Sequence, residues 1–381
     1  MKITILGHGN IGSAVAADLA ESMPSAEVTM VGINLREAQK AAAAIRRENV
    51  TGMKVDARDR RELVSALAKC DLVVGALPGD VGYHSVEAAI EAGVSMVDIS
   101  YMPENPLKLK KVAEMAGVTV VPDCGVAPGI SNILVGNFLS KLDRVESVFV
   151  MVGGLPEDPV PPIGYTLTWS TEGLIDEYTR TATIVEDGRV CEVEALTGLE
   201  TVEFPGVGVL EGFYTDGLRT LLHSVKGVRN MWEKTLRYPG HAEKVRVLKA
   251  LGFFDEHPRN VGGVNVAPRK LAAKLFDEKL RRPGMKDILA LKVEVNGTRE
   301  KEKTRFISLV LDRYDEKQGI TAMARTTAYP ASILAQLIAK GKIGKKGVVP
   351  LEELGKDAEI FKKVMDELEK RNIKVVRQLL K

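Results

Sequence analysis

Cysteine is scarce in this chain. Cys70, Cys124 and Cys191 are the whole complement. Odd in number and without a C-x-x-C pair, they exclude a disulfide framework and a cysteine-rich zinc site and suit a reducing compartment, the cytoplasm. Histidine is almost as sparse: His8, His84, His223 and His257 show no ligand spacing, so no metal is expected. Neither sign of charge dominates. Against 53 Lys and Arg stand 51 Asp and Glu, a net charge of +2, which gives no global field to draw nucleic acid or an anionic membrane. Long apolar runs are missing too, so no segment is expected to cross a bilayer, and the stretch from Met1 to Gly7 is too short for a signal peptide. What remains is 381 residues with 45% hydrophobic and 27% charged side chains, the composition of a soluble globular protein of about two domains.

Residues 2–6 are β-rich and run into Gly7-His8-Gly9-Asn10-Ile11-Gly12, after which 13–22 carries the Ala/Leu spacing of a helix. A G-x-G-x-x-G string has weight only between a strand and a helix, which is its place here. Gly7 permits the tight turn, Gly9 lets backbone N–H groups approach a pyrophosphate, and Gly12 allows close helix–sheet contact. Gly7, Gly9, Asn10, Ile11 and Gly12 are therefore candidate cofactor residues. The alternation continues with strands at 28–33, 52–55, 71–76, 95–99 and 118–121, and helices at 35–49, 60–69, 85–92 and 107–116. That spacing predicts an α/β fold with a doubly wound parallel sheet of Rossmann type.

The end of the second strand bears on cofactor preference, because a carboxylate there would hold the adenosine ribose of NAD. The sequence reads Val31-Gly32-Ile33-Asn34-Leu35-Arg36. No carboxylate is present, Asn34 has a side chain for a ribose hydroxyl, and Arg36 suits a 2′-phosphate. The cofactor is thus NAD or NADP, with Gly32, Asn34 and Arg36 favouring NADP. Topology puts Asp56 beside the adenine and Ala76, Leu77 and Pro78 along the nicotinamide ribose.

A stiff crossover, Pro122-Asp123-Cys124-Gly125-Val126-Ala127-Pro128-Gly129, joins the sixth strand to a helix beginning near Ser131. Together with the glycine turn, it resembles the saccharopine dehydrogenase-like family of amino-acid oxidoreductases. Further blocks carry the resemblance along the chain: Val152-Gly153-Gly154-Leu155-Pro156 with Pro161-Pro162, then Thr235 to Lys244, then Thr321 to Tyr329. The resemblance implies a Rossmann domain at 1–125, an inserted α+β substrate and dimerisation domain on an antiparallel sheet at 126–325, and a helical segment at 326–381 returning to the first domain. It also implies a homodimer joined through the substrate-domain sheet. Local patterning agrees, with β segments expected at 147–152, 165–169, 189–193, 292–296 and 306–314, a hairpin turning at Val295-Asn296-Gly297-Thr298, an open sheet edge at 291–313, and helices from Pro330 to Ile338 and near Glu359 to Lys370.

Oxidising an amino acid at a C–N bond needs a carboxylate anchor, an acceptor for the amine proton, and alignment of the carbon with a nicotinamide. Arg237 is the first choice of anchor, since a guanidinium grips a carboxylate bidentately and the resemblance marks Arg237-Tyr238-Pro239-Gly240-His241 as a substrate loop. Without that motif, an arginine would more often be a solvated surface charge. Arg219 is the second choice. His241, four residues on, has a ring suited to a base at neutral pH, although a packing histidine is as common. Asp123 stands where the strand end meets the cofactor, as a candidate cofactor residue, and could also hold an ammonium or take its proton, or merely cap the next helix. Gly125 lines the cofactor side of that crossover, and Tyr165 and Asp216 are further substrate candidates. Cys124 reads as small packing, because hydride transfer needs no thiolate.

The activity implied is NAD(P)-dependent oxidative deamination of L-lysine at the ε-amine, giving an aldehyde that cyclises to 1-piperideine-6-carboxylate, with ammonia released. A saccharopine reductase-like enzyme is one alternative; that subgroup carries Gly-x-Asp-Pro-Gly where this chain has Gly125-Val126-Ala127-Pro128-Gly129. A dinucleotide-sensing protein without turnover is another.

Overall fold

The computed structural model describes residues 1–282 and 284–380. The chain begins with alternating strands and helices: β1 (Lys2–Leu6), α1 (Asn10–Ser22), β2 (Glu27–Gly32), α2 (Leu35–Ile45), β3 (Val50–Lys54) and α3 (Arg60–Leu67). It continues with β4 (Leu72–Gly75), α4 (Gly79–Glu91), β5 (Ser95–Asp98), α5 (Lys110–Met115), β6 (Thr119–Val121) and α6 (Ile130–Leu139). Strand-rich chain follows: β7 (Arg144–Pro156), α7 (Thr171–Thr179), β8 (Ala182–Glu186), β9 (Arg189–Val193), β10 (Glu200–Phe204), β11 (Gly208–Tyr214), the single turn α8 (Leu221–Ser224), β12 (Asn230–Arg237) and α9 (His241–Ala250). Then come β13 (Arg259–Val261), β14 (Val264–Val266), α10 (Pro268–Leu280), β15 (Asp287–Arg299), β16 (Glu302–Arg313), α11 (Ala322–Ala339), β17 (Gly347–Val348), α12 (Leu351–Lys356), α13 (Ala358–Lys370) and β18 (Val375–Leu380).

These elements form two compact units. The first holds Met1–Ser140, Arg219–Ser224 and Ala324–Ile373; the second holds Lys141–Leu218, Val225–Met323 and the chain from Lys374. Among the described residues, the first unit has a seven-stranded parallel sheet in the order β17-β6-β5-β4-β1-β2-β3. Its strands are near-continuous apolar runs such as Leu72-Val73-Val74, buried on both faces as a parallel sheet between helices requires. Leu6, Val31, Leu63, Val73, Val86, Met96 and Val120 share one core cluster. Strand order reverses between β1 and β4, which opens a crevice at their carboxyl ends.

The second unit is built on a mixed nine-stranded sheet, counted over described residues, with the path β10-β11-β12-β7-β15-β16-β18. Strands β12 and β7 pair in parallel, and the other neighbours on this path are antiparallel. Two apolar clusters pack on it, one around Tyr165, Ile175, Tyr178, Phe213 and Val245, the other around Met151, Leu155, Phe204, Leu210 and Leu236.

Several expectations are corrected. Residues 165–169 form no strand: the Leu167 N–H and the Thr166 hydroxyl both donate to the Leu280 carbonyl, at 2.9 and 2.8 Å, so the segment is held by a helix end and not by a ladder. The hairpin turns at Glu300 and Lys301, both at positive φ, while Gly297 lies within β15 at a register shift against β7; a Cβ there would stand 2.2 Å from the Arg144 carbonyl oxygen. The 291–313 segment is no edge, because β15 lies between β7 and β16, and β16 pairs with β18. Helix α11 starts at Ala322 and carries Pro330 inside it. The apolar Val375–Leu380 stretch is a strand of the second unit, and 219–224 belongs to the first.

Candidate active site

The glycine turn of the first unit is shaped by contacts that exclude side chains. At Gly7, with φ +106°, a Cβ would lie 2.4 Å from the Ala76 carbonyl oxygen, and at Gly12 it would lie 2.2 Å from that of Gly7. Above Gly9 there is open space within 4 Å. Gly9 is also the N-cap of α1 and offers no side chain to its first N–H groups, so the helix start at Asn10 and Ile11 is left to bind a ligand. A pyrophosphate fits this cradle.

At the adenosine end, the Asn34 Oδ1 is turned to the helix, accepting from the N–H groups of Arg36 (3.0 Å) and Glu37 (3.4 Å). Gly32 has a packing cause that the sequence did not reveal: a Cβ would strike the His8 ring at 2.1 Å. Arg36 is exposed on the first turn of α2. Asp56 accepts from the Arg58 N–H at 2.9 Å, Pro78 caps α4, and Leu77 packs against the core.

Beyond β4 in the strand order from this cradle, β5 and β6 end in Asp98 and in the Pro122-Asp123 turn, with the Cys124 N–H donating to the Asp98 carbonyl at 2.8 Å. Both carboxyls are buried, at 0% and 2% exposure. Asp98 Oδ2 accepts from the Ser100 N–H (3.0 Å) and hydroxyl (2.6 Å). Asp123, at φ 58°, takes the Arg219 guanidinium on Oδ1 at 3.2 Å. Arg219 also donates to the Glu104 carbonyl at 3.4 Å and stands 5.9 Å from the Tyr101 ring centroid. Among the described residues, no hydrogen bond reaches Asp98 Oδ1 or Asp123 Oδ2. Burial, helped by the nearby Asp123 charge, pushes the Asp98 carboxyl up to about 8, against the pull of Ser100 and Arg219. Gly125 and Gly129 close the following turn; a Cβ on Gly129, at φ +145°, would sit 1.7 Å from the Gly125 carbonyl oxygen. Cys124 is fully buried, and burial raises its thiol well above the usual range, which leaves it inert packing.

In the second unit, the first-choice anchor is already engaged. Arg237 is 2% exposed, its Nη2 donates to Glu177 at 2.6 Å, its Nη1 to the Leu236 carbonyl at 2.9 Å, and its face lies 4.6 Å from the Tyr165 ring centroid. Both terminal nitrogens are engaged, while Nε meets no hydrogen-bond partner among the described residues. Both ring nitrogens of His241 are engaged. Its Nδ1 donates to the Ile163 carbonyl (2.8 Å), which leaves Nε2 to accept from the Tyr178 hydroxyl (3.0 Å). Burial and Arg237 together hold the ring down at about 3, so it stays neutral at physiological pH. Tyr165 is a core residue whose hydroxyl accepts from the Trp169 indole at 3.2 Å. Asp216 lies near the buried Glu233, whose carboxyl is driven well up by burial first and then by Glu177 and Asp216.

The structure thus gathers Asp123 with Arg219 in one unit and Arg237, His241 and Tyr165 in the other. Asp98 and Glu177 were missed. Asp98 had a legible signal, a carboxylate closing an apolar strand at the edge where ligands bind; Glu177, one of many acidic helix residues, had none.

A phosphate cradle at the reversal point of a parallel sheet, with buried titratable groups on the neighbouring strand ends, defines an NAD(P)-dependent oxidoreductase of Rossmann type. The chain belongs to the saccharopine dehydrogenase family: residues 3–121 match the saccharopine dehydrogenase NADP binding domain and residues 125–373 the saccharopine dehydrogenase C-terminal domain. The chain is 25% identical over 266 residues to a saccharopine dehydrogenase [NADP(+), L-glutamate-forming] of Pyricularia oryzae, a match covering 67% of this chain and 58% of that protein. The enzyme of that name from Schizosaccharomyces pombe is 24% identical, with 100% and 99% covered. Bovine mitochondrial alpha-aminoadipic semialdehyde synthase is 24% identical, over 91% of this chain and 45% of its own length. In fold, the chain is similar to the apo saccharopine dehydrogenase (L-Glu forming) of Saccharomyces cerevisiae, with a TM-score of 0.80 at 20% identity and full coverage of both chains. Among the described residues, no helix is long and apolar enough to cross a membrane.

Proposed function

We propose that this chain oxidises a C–N bond of a lysine-derived amino acid, with L-lysine at its ε-carbon as the first substrate. The observation that carries this is the Asp98, Asp123 and Arg219 group: two buried carboxyls, each with one oxygen that takes no hydrogen bond among the described residues, and one guanidinium near both. Such a group is complementary to an ammonium and a carboxylate together. When bound along the glycine turn, NAD(P)+ accepts the two electrons and the hydrogen lost by the substrate carbon. Asp123 receives the ammonium on Oδ2, and Arg219 fixes Asp123 through Oδ1 while bringing a positive charge for a substrate carboxylate. Asp98 takes the amine proton, because a carboxyl that titrates at about 8 passes protons in both directions near neutral pH. Loss of that proton and of the C–H hydrogen leaves a C=N bond on the substrate, which water opens to an aldehyde and ammonia.

Saccharopine is the second reading. The adjacency of Arg219 and Asp123 favours it, since a secondary amine next to a carboxylate-bearing carbon would engage both at once, and it accords with the names of the relatives. A homodimer joined at β18, which has a partner strand on one side only in the sheet path, is the proposed working form. The test is absorbance of reduced nicotinamide with L-lysine and with saccharopine, each with NAD+ and NADP+, and ammonia assayed in parallel. Turnover of lysine with ammonia release supports the first reading. Turnover of saccharopine alone supports the second, and cofactor binding without turnover of either refutes both.

A further inference from the structure

We propose that Glu352, on α12, is a positioning residue that holds both halves of the Asp123–Arg219 pair in register; this rests on the reading of that pair as the substrate-contacting group. Glu352 is wholly buried within the first unit. One carboxylate oxygen accepts from the Thr220 hydroxyl at 3.0 Å and from Asn132 Nδ2 at 3.2 Å, and the other accepts from the Ser224 hydroxyl. Thr220 follows Arg219 directly, so the first bond fixes the backbone from which the guanidinium reaches Asp123. Asn132, with its Nδ2 on Glu352, accepts on Oδ1 from the Gly129 N–H at 3.2 Å and from the Ser131 hydroxyl at 3.0 Å. Gly129 closes the turn that descends from Asp123, through Ile130 N–H to Gly125 carbonyl and Gly125 N–H to Pro128 carbonyl bonds, each of 3.1 Å. A single carboxylate therefore ties the turn after Asp123 to the segment that starts at Arg219.

Two glycines bring it there. A Cβ on Gly136 of α6 would lie 2.0 Å from the Glu352 carbonyl oxygen, and one on Gly355 of α12 would lie 2.2 Å from that of Ile133. The two helices meet backbone to backbone, at a distance no larger residue allows, and that approach drives the Glu352 side chain onto Asn132 and Thr220. A buried carboxylate with three donors and no cation among them has a geometric task rather than a charge-pairing one. Every contact of this clamp is local to the cofactor-binding unit, and none involves the glycine turn at Gly7–Gly12.

Glu352→Gln tests this at constant shape. Its neutral amide weakens the bonds from Asn132 and Thr220, and toward Ser224 it presents a donor, so the Ser224 hydroxyl must turn from residue 352 to the Thr220 carbonyl that it also reaches. The expected result is a KM for the amino acid raised about tenfold, with kcat within about threefold and the NAD(P) Kd unchanged. In an Arg219→Lys background, the same substitution should add less than about twofold, because both changes act on one pair. A crystal structure of Glu352→Gln should show the Asp123–Arg219 separation lengthened. An unaltered KM, a full effect persisting in the Arg219→Lys background, or an equal loss of cofactor affinity would each overturn the proposal. If the wild-type protein turns over no amino acid, the functional reading fails, and the crystal structure decides this inference: an undisturbed pair in Glu352→Gln refutes it.

Discussion

Replacing Asp98 by Asn asks most of the structure. The carboxyl is fully buried, and its value of about 8 stands well above the 3.8 of the free group. At 1.36 kcal/mol per unit, ionising it in place costs on the order of 6 kcal/mol. The sign follows from proton counts. Between pH 3.8 and about 8, the folded protein keeps a proton that the unfolded chain has released, so stability falls as pH rises, by about 1.4 kcal/mol per unit at most. Below that window the slope from this group vanishes, and above it the group is ionised in both states. Asn has no proton to lose, and its Oδ1 can still accept from Ser100. Urea unfolding of wild type and Asp98→Asn, compared from pH 5 to 9, should show the variant losing this downward slope and gaining relative stability toward alkaline pH. The same variant should lose the limb of the kcat profile that rises toward pH 8 and drop in kcat by about a hundredfold or more. Parallel stability curves for the two proteins, or an unchanged kcat profile, would refute the assignment.

Other substitutions probe other parts. Gly12→Ala places a methyl group 2.2 Å from the Gly7 carbonyl, and the turn must open, so NAD(P) affinity measured by fluorescence quenching should fall about a hundredfold. Arg36→Ala should raise the KM for NADP+ about tenfold and leave that for NAD+ within about twofold; equal effects on both would remove Arg36 from the 2′-phosphate. Glu177→Ala strands the buried Arg237 guanidinium and should cost about 3–5 kcal/mol in urea unfolding, with the loss reduced in the Glu177→Ala, Arg237→Ala double variant. For His241, held near 3 when folded, the unfolded chain takes up a proton between pH 6.5 and about 3 that the folded one does not. Stability is therefore lost as pH falls through that window, and His241→Phe should flatten the acid decline in melting temperature.

The first unit was largely legible because its signals are local. The apolar runs at 2–6 and 71–76, and the glycine spacing between strand and helix, depend on neighbours in sequence, and their boundaries fell within a few residues. Glycines mislead where two causes compete: Gly297 reads as a hairpin turn but absorbs a close approach of the Arg144 carbonyl, and Gly32 reads as cofactor chemistry but makes room for His8. The candidate site was half legible. Asp123 and Arg219 stand 96 residues apart, and nothing local in the sequence says that they meet. Arg237 and His241 carried the residue types a site needs, yet Glu177, Tyr178 and the Ile163 carbonyl, all distant in sequence, take up the Arg237 Nη2 and both His241 ring nitrogens. A side chain's chemistry is visible in sequence, while the partners that consume it are set by tertiary packing.

The threefold discontinuity of the first unit has a consequence for biogenesis. Its sheet strands β1 to β6 emerge early from the ribosome, but Arg219 follows only after dozens of residues destined for the other unit, and Glu352 comes nearly at the end. The nascent chain can thus assemble a cofactor cradle long before the Asp123 carboxylate acquires its guanidinium. Ribosome-stalled lengths should bind dinucleotide well before any length becomes competent to turn over an amine.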